Sequence, residues 1–527
     1  MNTRTARSVF DRVRDIDSYG PTSTRDRSPE RDVRVDAVIV GGGIAGLTAG
    51  VALAESGVKV AVIEKQSLLG GRARSWTDSK TGDPVHIGPH ILLSEYANFL
   101  GLLENLGTEK KVVWQPAPHF ITMVDGPRAS RMKLANLPPP MPFLPSVLMD
   151  RGIGLADKLS NFRFTAFAMK LDDDDIYEWD DVDGRTLLSE MGVTDAYMTH
   201  FWEFVSMSIL NVPLDRVSGA ALLRFYRRLI GRRHTQVGFA DGGLGDLFAP
   251  AARAKIERLG GRVMMGSGVS RFLTSEDLRR VTGVELEDGT RITAARTISA
   301  LAPQELARLV PEAWRTKKPF ADLAKFEPCP YVSTYLWFDR KVTREEFWAR
   351  VHRTEDLNCD FYDLSNIHTG WQGRSSVIAT NAIWSHRTKG MTNAEIVERT
   401  RDELAEYLPN VKSATIVHSV VNHIPMAIHC PYPGTESLRP RADTPIGGLL
   451  LAGDWTRTEY PSSMESAAFS GYAAAERVLE AQGVRKRLAR PRQDVEGFTK
   501  LFTRAAAVQR RIFTAPRPRK TPALVDV

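Results

Sequence analysis

Gly41-Gly42-Gly43-Ile44-Ala45-Gly46 has the spacing GxGxxG, and its glycines have distinct jobs in holding a pyrophosphate. Gly41 permits a tight turn, Gly43 lets the backbone approach the phosphates, and Gly46 allows a helix to pack closely on a strand. The N-terminus of the helix that follows supplies unpaired N–H groups for phosphate oxygens, which makes Ile44 and Ala45 cofactor-binding candidates as well. Glu64, followed by Lys65, stands about 20 positions on, where a carboxylate accepts hydrogen bonds from an adenosine ribose. An acid at that place repels a 2′-phosphate, which disfavours NADPH. The chemistry is that of a dinucleotide site.

Two further segments extend it. Gly70-Gly71-Arg72-Ala73 gives a second close backbone approach, with a guanidinium to oppose pyrophosphate charge. A small diffusible nicotinamide needs no such extension, whereas a large, permanently held cofactor does. Near the C-terminus, Gly453-Asp454 places a carboxylate suited to a ribityl hydroxyl. Ser463 and Met464 then open a helix whose N-terminus can face a flavin ring or its phosphates. Together the three segments point to FAD.

The elements that must position these residues are legible around them. Residues 35–40 (VDAVIV) predict a strand, 47–56 a helix stopped by Gly57, and 59–63 a second strand ending at Glu64. Residues 448–451 predict another strand and 466–479 another helix. Because these signals lie over 400 residues apart, the nucleotide domain must be discontinuous. A middle portion, residues 261–271 and 284–300 with an Asp288-Gly289 hairpin turn, predicts an added sheet layer. Val269 is its candidate for backbone contacts to adenine.

GGGIAGL, GGRARS, IGPHILLSEYANFLGLLENLG, GFADGGLGDLFAP, FYDLSNI and GGLLLAGDWTRTEYPSSMESAAFSG together resemble the phytoene desaturase-like branch of the FAD-dependent amine oxidase superfamily. That branch includes plant-type and cyanobacterial phytoene and zeta-carotene desaturases and hydroxysqualene dehydroxylases. The resemblance spans roughly residues 35–480. It implies an α/β plus α+β fold, with a Rossmann-like FAD domain of the p-hydroxybenzoate-hydroxylase type and an interleaved substrate domain. The expected division is 35–110, 232–305 and 415–482 for FAD, and 111–231 and 306–414 for substrate. It also implies a polyisoprenoid substrate, a quinone or other electron acceptor, and peripheral attachment to the cytoplasmic face of a membrane. Carried over residue by residue, Gly41, Gly43, Gly46 and Glu64 hold the ADP portion. Arg72 lies by the pyrophosphate or flavin, Asp454 by the phosphate-ribityl region, and Met464 and Glu465 near the flavin.

On the substrate side, the proline-rich, apolar residues 133–149 read either as a buried loop or as a rim touching lipid. Helices are predicted over 155–169, 194–209 and 218–229, where Phe164, Phe167, Phe201, Phe204 and Phe225 are candidates to line a tunnel. Residues 331–338 and 377–381 predict strands, and 394–407 a helix. The acidic run 172–175 reads as a solvated loop, since consecutive flexible carboxylates do not converge on one metal ion. His90 and Glu465, in segments tied to the flavin by the resemblance, are the candidate acid-base groups, and Tyr460 a candidate to shape the flavin face. The leading expectation is desaturation, with hydride passing from an allylic C–H to flavin. Dehydroxylation by reduced FAD, amine oxidation and a non-catalytic FAD-binding membrane protein are the alternatives.

Composition excludes other classes. Three cysteines without CxxC, Cys329, Cys359 and Cys430, exclude a disulfide scaffold or cysteine-rich metal site. No segment has the roughly 18 continuous apolar residues of a spanning helix. The net charge of +7 is concentrated at the end: residues 485–527 carry twelve Lys/Arg and three acidic residues, leaving −2 for the rest. Phe498, Leu501, Phe502, Ala505, Val508 and Ile512 have helical spacing beside Lys500, Arg504 and Arg511. That pattern fits either an interfacial helix on a membrane or a helix packed on the body. No aromatic-basic interleaving suited to nucleic acid occurs. Residues 1–34 are expected to be a mostly disordered leader.

Overall fold

A computed structural model describes residues 32–513; the leader up to residue 31 and the last basic residues lie outside them. The nucleotide-type sheet has the strand order Arg262–Met265, Val60–Glu64, Asp32–Val40, Arg291–Ser299, Val281–Leu286, Val269–Thr274. The first four run parallel, and the last two add an antiparallel meander. Leu449–Leu451 pairs in parallel with Thr297–Ser299, although some 150 residues of other structure intervene. Ala37 to Val40 are buried without alternation, as expected of a parallel strand covered on both faces.

Helix Ile44–Glu55 leaves the first strand and is buried nearly all round. It packs against helices Met464–Glu480 and Ala249–Arg258. The first contact needs small residues: a Cβ on Gly471 would lie 2.3 Å from the Ala45 carbonyl oxygen. The strand and helix starts found here, Asp32 and Ile44, precede those read from the sequence by three residues each.

A second sheet has the order Ile416–His429, Pro328–Phe338, Val377–Ala382, Asp360–Asp363, Phe347–Arg350, His119–Asp125, Arg128–Lys133. Its alternation is that of a sheet covered by different partners on its two faces. Phe347, Ala349, Tyr362, Ala379 and Tyr335 pack with the helical residues Phe164, Trp202 and Tyr226. Trp348, Phe361, Ile378 and Leu336 face the opposite way, onto Leu404 of helix Asn393–Tyr407 and Leu408 just past its end. A three-stranded sheet, Leu92–Leu93, Val237–Ala240 and Val112–Trp114, bridges the two regions.

Several expectations are corrected. Residues 415–482 do not act as one unit: Ile416–His429 pairs along its length with Pro328–Phe338. The short connection from helix Asn393–Tyr407 delivers it there. The helix expected over 155–169 is two, Leu155–Ser160 and Phe162–Lys170. Asn161 lies between them, its side chain bonded to Tyr226 and Trp202. The acidic run is no loop: Asp172 and Asp175 form a capping box on helix Asp173–Tyr177, whose first turn is favourable for carboxylates. The basic tail that begins at residue 483 is docked on the body at its start, in line with one of the two readings its sequence left open. Glu476 accepts from the backbone of Leu488 and Ala489, and Arg490 reaches Asn98, Ala97 and Glu104. Helix Gly497–Phe513 follows and packs on Phe162–Lys170.

Candidate functional site

The turn after the first strand is shaped by absence of side chains. Gly41 has φ +111°, and a Cβ on Gly46 would lie 1.9 Å from the Gly41 carbonyl oxygen, so the helix can start here only with glycine at 46. The cap residue of helix Ile44–Glu55, Gly43, offers no side-chain cap, and the first turn carries no acid. Its N-terminal amides are therefore left for an anion. Gly43 forms a backbone bridge with Gly70, bringing the second glycine segment against the first. Glu64 accepts from the backbone N–H groups of Gly42 at 2.8 Å and Gln66 at 2.9 Å. Burial raises its pKa, against the lowering effect of those bonds. This bare, positively polarised cradle fits a dinucleotide pyrophosphate, and the carboxylate keeps lone pairs for a ribose.

The C-terminal segment meets the cradle through charge. Arg72 donates to both oxygens of Asp454, at 3.1 and 2.5 Å, and to the Ala427 carbonyl at 3.1 Å. Burial would raise the Asp454 pKa; the neighbouring guanidinium overrides it and holds the carboxyl below its ordinary value. Ser463 caps helix Met464–Glu480 by accepting from the Ser466 backbone.

Gly41, Gly43, Ile44, Ala45, Glu64, Lys65, Gly70, Gly71, Arg72, Ala73, Val269, Gly453, Asp454, Ser463 and Met464 all line one cavity of about 770 Å³. Gly46 does not; it is taken up by packing against the turn. The same cavity is also lined by His90, by Phe120, Phe143, Phe204, Phe225 and Phe347, and by Leu148 and Phe162. Helix turns of the wider π type at Met198–Trp202 and Ser206–Leu210 lie in a segment presenting Phe201, Phe204, Ser208 and Ile209 to it. Phe164 and Phe167 are absent from its wall; Phe164 packs between Trp202 and Tyr226 in the core.

His90 is on the wall of this cavity. Its Nδ1–H donates to the Gly88 carbonyl at 2.8 Å, which leaves Nε2 an acceptor in the neutral ring. Burial lowers its pKa, and Arg72 adds to the effect. Glu465, by contrast, is fully buried and does not line the cavity. Its carboxylate accepts from the backbone of Asn98 and Phe99 and from the Asn98 amide, at 2.8–3.1 Å. It thus caps helix Ala97–Leu106, and its expected acid-base role is withdrawn. Tyr460 is likewise outside the cavity, under the Arg228 guanidinium at 4.2 Å. His423 bonds to Asn393 and His429 to Ser462, and no metal-binding cluster occurs among the described residues. Polar wall residues missed from the sequence are Asp360, Tyr362 and Asn381; the two-residue spacing of Asp360 and Tyr362 gives them one strand face, but only the cross-strand pairing brings Asn381 beside them.

Three of the lining side chains, Leu148, Leu159 and Phe162, are exposed, as are Met149 and Leu155 close to them in the chain, and together they make an apolar rim. Helix Gly497–Phe513, alongside, exposes Phe498, Leu501, Phe502 and Val508, and its Phe498 N–H donates to the Pro139 carbonyl. The proline-rich segment is therefore both wall and rim, with short helices at Met141–Phe143 and Leu144–Met149. No described helix is long and apolar enough to cross a membrane.

Comparison with known proteins agrees with this geometry. The family model for flavin containing amine oxidoreductase matches residues 44–479. The chain is 27% identical over 482 residues to a 15-cis-phytoene desaturase of Narcissus pseudonarcissus, covering 86% of this chain and 81% of that protein. It is 24% identical over 470 residues to the 15-cis-phytoene desaturase of Synechococcus elongatus, covering 84% and 96%. The solved cyclohexylamine oxidase of Brevibacterium oxydans shares the fold, with TM-score 0.61, 18% identity, and 85% of this chain and 100% of that one covered. The architecture is the Rossmann-like FAD domain plus substrate domain of the p-hydroxybenzoate-hydroxylase type. The chain belongs to the flavin containing amine oxidoreductase family, as a phytoene desaturase-like member whose cofactor is FAD.

Proposed function

We propose that this FAD-dependent oxidoreductase desaturates a hydrophobic polyisoprenoid, with hydride leaving an allylic C–H for flavin N5. The observation that carries the reading is the single cavity joining the dinucleotide cradle to an exposed apolar rim. When bound, FAD supplies a two-electron acceptor for the hydride. The protein's share is to align the chain, exclude water and take the proton lost from the adjacent carbon. Phe204, Phe225 and Phe347 give the chain an apolar bed. His90, a cavity-wall residue whose pKa burial lowers and whose Nδ1 is occupied by Gly88, is the assigned proton acceptor through Nε2.

The exposed rim supports a peripheral position on a membrane. Extracting a long hydrocarbon through water exposes methylenes at roughly 0.8 kcal/mol each, which an apolar portal seated in lipid avoids. Continued turnover would call for an electron acceptor such as a quinone. Similarity to phytoene desaturases favours a C40 polyene as the first substrate to test.

The test is anaerobic. Phytoene supplied in liposomes should bleach the visible absorbance of oxidised holoenzyme and yield a product with one more double bond. Turnover only by pre-reduced enzyme, with loss of a substrate hydroxyl, would reverse the assigned direction. Bleaching by simple amines and by no polyene would overturn the reading.

A further inference from the structure

The cavity wall carries a polar group that an entirely hydrocarbon substrate leaves unused. Asp360 and Asn381 are direct cross-strand partners, so their side chains share one face of the second sheet. Both are buried and both line the cavity. Asp360 accepts from Tyr362 Oη at 3.0 Å and from Asn381 Nδ2 at 3.3 Å. Asn381 Nδ2 also donates to the Pro89 carbonyl at 3.2 Å. Two acceptors on that side fix the amide orientation, and the other end, Oδ1, has no hydrogen-bond partner. A buried amide oxygen without a donor is costly, so its retention calls for an explanation. Gly88 packs beside this oxygen, where a Cβ would sit 3.2 Å away, and the oxygen is closed to solvent, so a donor reaches it from the cavity only with a small local shift.

We propose that Asp360, Asn381 and Tyr362 form a hydroxyl-binding station, so that the substrate is an isoprenoid chain carrying an alcohol at its inserted end. The inference rests on the apolar-chain reading above and narrows it. The station has a surplus of acceptors: Asn381 Oδ1 is free, and each Asp360 oxygen receives one bond. The missing group is therefore a donor. The partners already in place are neutral, and burial raises the Asp360 pKa to about 7, so both carboxyl forms are populated near neutrality. A hydroxyl serves both, donating to the carboxylate or accepting from the acid, whereas an ammonium needs the ionised form. Phe347, Ile383 and Ile424, also on the wall, suit the hydrocarbon that follows the oxygen.

The position beside Pro89 and Gly88 places the station next to His90 in the chain. A bound hydroxyl would thus fix the register of the chain relative to His90, which an apolar tunnel alone leaves free to slide. Asp360, Asn381 and Tyr362 act here as positioning residues, and their effect should be on binding selectivity.

Equilibrium binding to the purified holoenzyme tests this, with three labelled C20 probes: geranylgeraniol, the hydrocarbon with hydrogen in place of its hydroxyl, and the corresponding primary amine. The wild-type protein should bind the alcohol at least tenfold more tightly than the hydrocarbon. Asp360→Val and Asn381→Val should each bring that ratio near one, while Asp360→Asn, which still accepts from a hydroxyl, retains most of it. Variants are compared at equal flavin content and after a thermal melt, so misfolding is separated from lost selectivity. Equal wild-type affinity for alcohol and hydrocarbon, or a ratio unchanged in both valine variants, overturns the station but leaves the apolar-chain reading intact. Tighter binding of the amine overturns the choice of a hydroxyl. Failure of every prenyl probe to bind defeats the apolar-chain reading, and the station with it.

Discussion

Arg72 and Asp454 lie 382 positions apart and join as a two-pronged ion pair, at 3.1 and 2.5 Å, that ties the second glycine segment to the last strand of the FAD domain. Asp454 is buried, and Arg72 is its direct counter-charge. Arg72→Ala leaves a buried carboxylate unpaired, which costs on the order of 3 kcal/mol. The expected result is a lower melting temperature and a flavin-to-protein ratio reduced severalfold, read by absorbance after gel filtration. Full retention of flavin by the variant would remove the pair from the cradle.

Glu465 separates structural from chemical roles. Four hydrogen bonds tie it to Asn98 and Phe99 at the start of helix Ala97–Leu106. Glu465→Gln should cost about 1–2 kcal/mol, as losses at helix N-caps do. The folded holoenzyme should keep the wild-type pH profile for flavin reduction by substrate. A displaced profile would restore the acid-base role that the geometry removes.

The difference between these two residues illustrates what was legible in the sequence. Gly41, Gly46, Glu64 and Asp454 announce themselves because backbone approach and charge demand particular residue types at particular places. Glu465 had the right type in the right segment, but helix phase turned it from the cavity toward Asn98. Ile416–His429 was assigned to the wrong sheet because pairing partners are set by long-range register, which local pattern does not encode. Asp360 and Asn381 were invisible for the same reason. Each is an ordinary polar residue in a strand until cross-strand pairing places them side by side.

Asp360 also predicts a pH dependence of stability. Burial raises its folded-state pKa to about 7 from an ordinary value of 3.8. Between those values the folded protein holds a proton that the unfolded chain has lost, so this group's contribution falls as pH rises through the window. The loss amounts to roughly 3–4 kcal/mol across it. Asp360→Asn, unable to ionise, should flatten that slope. Unfolding free energies measured from about pH 4 to pH 7.5 should therefore converge at the acid end and favour the variant at the neutral end. Parallel curves for the two proteins would show that Asp360 does not titrate in this range.

Membrane attachment requires a test that leaves the fold untouched. Removing everything beyond Gln482 is unsuitable, because Ala489 and Val495 are buried and Arg490 bonds to the Asn98 region. Leu501 and Val508, in contrast, are 60% and 54% exposed on helix Gly497–Phe513. Aspartate at both positions should change stability by less than about 0.5 kcal/mol each, as exposed substitutions usually do. It should nevertheless weaken flotation with anionic liposomes severalfold, since it removes apolar contact and adds like charge to the lipid. Leu148→Asp and Phe162→Asp, on the adjoining rim, should weaken it further, because both patches would enter the same interface. Raising the salt concentration separates the contributions: the basic residues lose their hold as charge is screened, and the apolar contact persists. Unchanged flotation of all these variants would place the lipid contact elsewhere and leave the rim as a portal for substrate alone.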